Sequence, residues 1–260
     1  MLGIVDLHSH LIPGVDDGAR NLEQALAGLG ALNRAGVTTL AVTPHLNATL
    51  TTQRDVLELR LAELDTGWQA LTGAAGEGVE LRRGVEIMLD TPQVELSDER
   101  VRIGGGPYVL VEFAYLTVPP RSTEVLAVVR AQGVRPVLAH PERYPHVAAN
   151  PALVGGWRAG GAQLQLNGGS LLGRYGGSAR RAALALLEAG AIDYVASDYH
   201  SRGDPGVVGY TQLLEELLGP DAADRLLAEN PRRVLAGEPL LAPPPLPRRP
   251  LWRRLRELLS

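Results

Sequence analysis

Five of the six histidines in this 260-residue chain sit in short polar motifs that follow apolar, β-prone runs. His8 and His10 belong to Asp6-Leu7-His8-Ser9-His10, and His45 closes Thr43-Pro44-His45. His140 opens His140-Pro141-Glu142-Arg143, and His200 ends Ser197-Asp198-Tyr199-His200. Two acids occupy similar places, Glu86 in Gly84-Val85-Glu86 and Glu112 in Val111-Glu112-Phe113. Side chains two apart in a strand share a face, so His8 and His10 can grip one cation, and Asp198 and His200 repeat the spacing. A single histidine at a strand end is more often a polar side chain meeting solvent. Chance would scatter six histidines over helices and loops, yet only His146 lies outside the pattern. As a set they read as a metal centre.

The candidate ligands are His8, His10, Asp17, His45, Glu86, Glu112, His140, Asp198 and His200. Imidazole and carboxylate suit zinc, manganese or iron. Nine ligands are too many for one ion and suggest two or three. Two divalent ions would just balance the carboxylates of Asp17, Glu86, Glu112 and Asp198, whereas three would leave about +2, a charge that attracts a phosphate dianion. Arg143, at the same rim, adds a planar fork of donors that fits phosphate oxygens. The expected chemistry is phosphate-ester hydrolysis. A metal-bound water loses its proton near neutral pH and the hydroxide attacks phosphorus in line, while the other ions and Arg143 neutralise the developing charge. The chain has no cysteine, which excludes a thiolate nucleophile, disulfides, thiolate zinc sites and iron–sulfur clusters.

The elements that must position these residues alternate. Strands are expected at Ile4–His8, Val37–Thr43, Val79–Met88, Tyr108–Phe113, Arg135–Ala139, Gln163–Asn167 and Ile192–Ser197. Helical spacing is read over Asn21–Ala35, about Thr52–Leu71, Ser122–Gln132, Pro151–Ala159, Ser178–Ala189, Tyr210–Leu218 and Ala222–Ala228. Alternating strands and helices argue for an α/β fold with a parallel sheet. Continuous apolar runs such as Val109–Val111 are expected of strands buried on both faces. A closed or nearly closed barrel fits best, with a doubly wound open sheet as the alternative. In both, sites form at the C-terminal ends of strands, where six of the seven expected strands deliver a His, Asp or Glu.

Composition bounds the rest. The net charge of −4 offers no basic field for nucleic acid. The N-terminus lacks the basic and long apolar regions of a signal peptide, and no segment is long and apolar enough to span a membrane, so a cytoplasmic location is expected. Residues 1–238 read as the barrel. Residues 239–260 read as a proline-rich linker and a short basic tail, Leu251–Ser260, carrying Trp252, Arg253, Arg254 and Arg256.

The order Asp-x-His-x-His, Val-Asp-Asp-Gly, Thr-Pro-His, Gly-x-Glu, Glu-Phe, His-Pro-Glu-Arg and Ser-Asp-x-His resembles the PHP (polymerase and histidinol phosphatase) superfamily. More narrowly it is similar to the CpsB/CapC/YwqE group of bacterial tyrosine-protein phosphatases. The narrower likeness rests on the segments His8–Gly18, His140–Pro145 and Leu166–Gly173, and it covers about residues 4–235. The resemblance implies a distorted (βα)7 TIM-like barrel with a centre of three divalent ions, manganese first, with zinc, iron or cobalt as alternatives. His8, His10, Glu86 and Asp198 would hold the first ion, with Glu86 bridging to a second held also by Glu112 and His140. Asp17, His45 and His200 would hold the third. Arg143 would bind phosphate, with Arg202 as a second phosphate-binding arginine. The implied substrate is the phosphotyrosine tail of a bacterial tyrosine kinase in capsule or exopolysaccharide synthesis. Tyr199 departs from the small residue usual between the aspartate and histidine, and is expected to narrow the pocket or stack on a phosphotyrosine ring.

Other readings compete. A small-molecule phosphoesterase of the same superfamily would act on histidinol phosphate or a nucleotide, and a non-catalytic scaffold would bind metal without turnover. An amidohydrolase barrel also opens with His-x-His, but commonly uses a carbamylated lysine, and no lysine stands at a strand end here. Gly168–Gly173 lacks the GxGxxG spacing of a dinucleotide site and is expected to be a mobile rim loop. Ser170 is read as a hydrogen-bonding residue, Glu142 as structural and His146 as a surface side chain.

Overall fold

The computed structural model describes residues 3–243. Nine strands run in sequence order: β1 (Ile4–Asp6), β2 (Val37–Val42), β3 (His45–Asn47), β4 (Glu80–Arg83), β5 (Glu86–Leu89), β6 (Tyr108–Phe113), β7 (Arg135–Ala139), β8 (Gln163–Asn167) and β9 (Tyr194–Ala196). Every pairing between them is parallel. They form two ladders, β1-β2-β4 and β3-β5-β6-β7-β8-β9.

The two ladders are one wall. The chain passes from β2 through Thr43-Pro44 into β3, and from β4 through Gly84-Val85 into β5. Pro44 has no N–H to give, which interrupts the ladder there. Hydrogen bonds from Gly84 N to Val42 O (3.1 Å) and from Glu86 N to Pro44 O (3.0 Å) carry the pairing across the break. Nine strands thus make seven staves. The last meets the first at a parallel bridge between Ser9 and Tyr199, flanked by Asp198 N to His8 O and His10 N to Tyr199 O, both 2.9 Å. Beside this seam the carboxylate of Asp6 accepts from Ser197 N (3.1 Å), standing in for a backbone ladder bond. The wall closes into a distorted (βα)7 barrel, and the open doubly wound sheet is excluded.

Alternation along the strands sorts the core. Val5, Leu7, Ala41, Tyr108, Leu110, Val137, Ala139, Tyr194 and Ala196 fill the lumen, which Val234 and Ile103 help to close. Their neighbours Val109, Val111, Leu138, Leu164 and Leu166 face outward onto the helices. Burial on both faces explains why β6 and β7 are apolar at successive positions. Each fully buried Val or Leu contributes about 1.5–3 kcal/mol relative to exposure.

The helices fall where their periodicity indicates. Leu22–Arg34 starts at Asn21, whose side chain accepts from Gln24 N (2.9 Å), and buries Ala25, Leu29 and Leu32. The helical stretch after Pro220 widens into a π-turn at Arg225–Glu229 just before Asn230-Pro231. A proline there has no N–H to donate and would crowd the carbonyl one turn back, and the wider turn accommodates it. Asn230 then donates to Asp193 O (2.7 Å) and accepts from Leu241 N (2.8 Å), so the chain just past residue 238 still lies on the barrel. The tail expected over Leu251–Ser260 lies outside the described residues. No helix among the described residues is long and apolar enough to cross a membrane. Gly168–Gly173 is not a loose rim loop. Gly168–Leu171 forms a buried helical turn, capped by Asn167 Oδ1 accepting from Gly169 N (2.8 Å).

Candidate metal centre

The barrel delivers its polar side chains where the lumen's apolar alternation ends. Glu112 follows Leu110 on the inner face of β6, Asp198 follows Ala196 beyond β9, and Glu86 begins β5. His140 and Asp198 adopt left-handed backbone, φ 36° and 52°. Such conformations cost about 1–3 kcal/mol each in non-glycine residues and persist where the surroundings enforce them.

The nine candidate ligands come together in four overlapping groups, each with its ligand atoms within 4.8 Å of one another: His8, His10, Asp198; His8, Glu86, His140; His45, Glu86, Glu112; and His10, Asp17, His45, His200. Glu86 is central. Its Oε2 lies 3.1 Å from His8 Nε2, 3.4 Å from His10 Nε2 and 3.1 Å from His45 Nδ1, while Oε1 lies 3.0 Å from His140 Nε2. Asp198 Oδ1 lies 3.3 Å from His8 Nε2 and 3.4 Å from His10 Nε2. Asp17 is the exposed member, 3.5 Å from His45 Nε2 and 3.3 Å from His200 Nε2. Glu112 sits closer to His45 (3.4 Å) than to His140 (3.8 Å), the partner that the resemblance implies for it.

This packing fits divalent cations. His8 Nε2 and His10 Nε2 face each other at 3.2 Å, and at most one of two neutral imidazoles can donate across such a contact. Glu86 Oε2 is buried among three imidazoles without a hydrogen bond. Burial alone would push His8 down, yet the Glu86 and Asp198 carboxylates raise it to about 9. Burial likewise opposes ionisation of Glu86, but His8 and the other imidazoles hold it well below the usual carboxylate range. Glu112, buried beside Glu86, is pushed up to about 7. Without a cation the site relies on extra protons for neutrality, and ions would replace them.

Several residues that orient this set escaped the sequence reading. His10 Nδ1 pairs with Asp16 Oδ2 at 2.8 Å, and His8 Nδ1 with Gln165 Oε1 at 3.0 Å. His200 Nδ1 lies 2.9 Å from the Asp198 carbonyl. Each acceptor holds one ring nitrogen and leaves the other for a cation. Gln163, Gln165 and Asn167 gave a signal in sequence, a polar period of two within a buried strand. Asp16 differs from Asp17 only by position, which leaves no compositional signal to separate their roles.

At the rim a pocket of about 240 Å3 is lined by Asp17, Arg143, Tyr175, Asp198, His200 and Arg202, among others. Arg143 Nη1 donates to Asp198 Oδ2 (2.8 Å) and its guanidinium lies over the Tyr175 ring. Arg202 is more exposed and pairs with Asp17 at 3.8 Å. Tyr199 also lines this pocket, but its ring does not lie open for a substrate ring to stack on. Its side chain is 7% exposed, its hydroxyl donates to Gly203 O (2.8 Å), and it packs in the core beside Gly28. Glu142 is buried and accepts from Asn167 N (3.1 Å) and Ser170 Oγ (2.8 Å). His146 is exposed.

A parallel barrel that gathers imidazoles and carboxylates at the C-terminal ends of its strands has the architecture of a metal-dependent hydrolase. Comparison with known proteins narrows the class. The family model described as "Capsular polysaccharide synthesis, CpsB/CapC" matches residues 4–236, and the chain belongs to this family. Tyrosine-protein phosphatase YwqE of Bacillus subtilis (strain 168) is 30% identical over 256 residues, covering 94% of this chain and 96% of its own. Tyrosine-protein phosphatase CpsB of Streptococcus pneumoniae is 24% identical over 241 residues, covering 89% and 98%. Among solved structures, a chain from work on YwqE and CpsB, described as unique metal-dependent tyrosine phosphatases, superposes with a TM-score of 0.71 at 25% identity. That match covers 94% of this chain and 100% of the other.

Proposed function

We propose that this protein is a metal-dependent tyrosine phosphatase that hydrolyses the phosphorylated, tyrosine-rich tail of a bacterial tyrosine kinase in capsule or exopolysaccharide synthesis, in the cytoplasm. The observation that carries the reading is the set of nine imidazole and carboxylate side chains packed within reach of one another beneath Arg143. The relatives' names, tyrosine-protein phosphatases, support the substrate class. Three divalent ions, manganese first, would be shared among these ligands: one near His8, His10, Glu86 and Asp198, one near Glu86, Glu112 and His140, and one near Asp17, His45 and His200. Divalent ions in such a site supply water with a lowered pKa and positive charge opposite the phosphate oxygens.

The chain's own residues do the rest. Arg143 presents the donors left over from Asp198 to the phosphate oxygens. Asp16 and Gln165 keep His10 and His8 turned so that their free nitrogens face the centre. With no cysteine in the chain, a phosphocysteine route is closed. The deciding experiment compares turnover of a phosphotyrosine peptide with that of histidinol phosphate across Mn, Zn, Fe, Co and Mg, with metal content measured in parallel. A strong preference for histidinol phosphate would overturn the proposal in favour of a small-molecule phosphoesterase.

A further inference from the structure

We infer that Tyr175 is a positioning residue that holds Arg143 at the phosphate pocket, and that the glycine-rich stretch Gly168–Gly173 is its seat. The inference rests on the reading of Arg143 as the phosphate-binding arginine.

Arg143 has two anchors. Its Nη1 donates to Asp198 Oδ2 (2.8 Å), and its Cζ lies 4.3 Å from the centroid of the Tyr175 ring. One hydrogen bond leaves a guanidinium free to swivel about that bond. A ring beneath it fixes the plane of the fork, through the attraction between the cation and the ring face.

The ring is itself held. Asn167 Nδ2 lies 3.2 Å from the Tyr175 hydroxyl and 2.9 Å from Asp198 Oδ2, so one amide ties together both anchors of Arg143. Asn167 Oδ1 accepts from Gly169 N (2.8 Å). The Glu142 carboxylate, on the segment that carries Arg143, accepts from Asn167 N and Ser170 Oγ. The loop after β7 and the turn after β8 are therefore one hydrogen-bonded frame, with Arg143 on one side and Tyr175 on the other.

Gly169 explains why the seat needs a glycine. A Cβ there would lie 3.1 Å from Tyr175 Cε2 and 3.1 Å from Asn167 Oδ1, tighter than ordinary van der Waals contact. Gly173 and Gly176, at φ 80° and 88°, turn the chain so that Tyr175 precedes the helix Gly176–Glu188. The motif that made no sense as a nucleotide loop thus has a local purpose.

Inorganic phosphate is the discriminating probe, because it has no ring for Tyr175 to touch. Its competitive inhibition constant is measured on the manganese-loaded full chain, with metal content and melting temperature checked for each variant. Tyr175→Leu is expected to weaken phosphate inhibition about three- to tenfold. Tyr175→Phe, which keeps the ring, is expected to restore it to within about twofold, and Gly169→Ala to move it in the same direction as the leucine variant. Added to Arg143→Ala, Tyr175→Leu is expected to cost nothing further, because its effect passes through the arginine. The inference is overturned if Tyr175→Leu leaves phosphate inhibition unchanged and raises only the KM for a phosphotyrosine peptide. It is equally overturned if the leucine variant costs as much without Arg143 as with it. If Arg143→Ala alone leaves phosphate inhibition unchanged, the phosphate-binding reading of Arg143 fails first and takes this inference with it.

Discussion

His10 and Asp16 are joined by a hydrogen bond of 2.8 Å, and through it Asp16 decides which nitrogen of His10 faces the cluster. Asp16 also accepts from Gly18 N (3.0 Å) and His45 N (3.2 Å), so it pins the loop to the histidine it orients. Asp16→Ala is expected to lower metal affinity or activity by about 10–100-fold with the fold retained. Metal titration of the purified variant checks this, and wild-type affinity would remove the orienting role.

His8 and His10 contribute to three of the four ligand groups. The double variant His8→Ala, His10→Ala is expected to lose bound metal and turnover together. Circular dichroism and elemental analysis separate that outcome from unfolding. Unchanged turnover would refute the site.

Arg143→Ala removes a donor fork aimed at the phosphate pocket. The expected loss is about 2–4 kcal/mol of transition-state stabilisation, or about 30- to 900-fold in kcat/KM, by analogy with removing an oxyanion donor. A loss below about threefold would be too small for that role.

Metal uptake should depend on pH in a defined direction. In the metal-free protein the Glu86 and Asp198 carboxylates raise His8 from its ordinary 6.5 to about 9, against the opposing effect of burial. A raised imidazole stabilises the fold fully below the unfolded value and loses that contribution as pH climbs through the folded one. Metal-free protein is therefore expected to melt at lower temperature at pH 9 than at pH 6.5. Over the same window ion affinity should rise, because the ion expels this proton. Calorimetric titration in two buffers of different ionisation enthalpy reads the proton release directly, and a heat independent of buffer contradicts it.

Gly18 lies under the same loop. A Cβ there would come within 2.1 Å of the His10 carbonyl oxygen and 2.5 Å of His10 Cβ, with backbone rather than a pliable side chain in the way. Gly18→Ala is expected to destabilise the protein by about 1–3 kcal/mol, in the range of overpacking substitutions, and to weaken metal binding with it. A chemical denaturation curve superposable on the wild type would show that the loop has room to move.

Much of this was legible from residues alone, for identifiable reasons. The staves could be read because strands such as β6 and β7 are apolar at successive positions, and the polar residue that ends the apolar run marks the rim, as Glu112 does after Leu110. The split of the second and third staves was not legible as two ladders, because it depends on where Pro44 falls opposite Gly84 and Glu86. Asp16 was overlooked because a pair of aspartates carries no sign of which one reaches a cation and which one turns a histidine. The stacking expected of Tyr199 is not met, although the residue lines the pocket, because its neighbours in sequence face the centre while its own ring turns back onto the helix Leu22–Arg34. Tyr175 was missed because an aromatic residue before a helix has no periodic partner, and its importance lies in an arginine 32 positions earlier in the chain.

The barrel's seam joins its first stave to its last, since His8 and Asp198 meet there although most of the barrel's sequence lies between them. On a translating ribosome this has a consequence in time. At about 5–20 residues per second, roughly 10–40 s separate synthesis of the first imidazoles from that of the last ligands. During that interval the early histidines have no partners with which to complete a centre. Loading of the full centre is therefore a late event in the life of each molecule, following barrel closure, and a chain cut short anywhere before Asp198 would leave the ribosome without a complete centre.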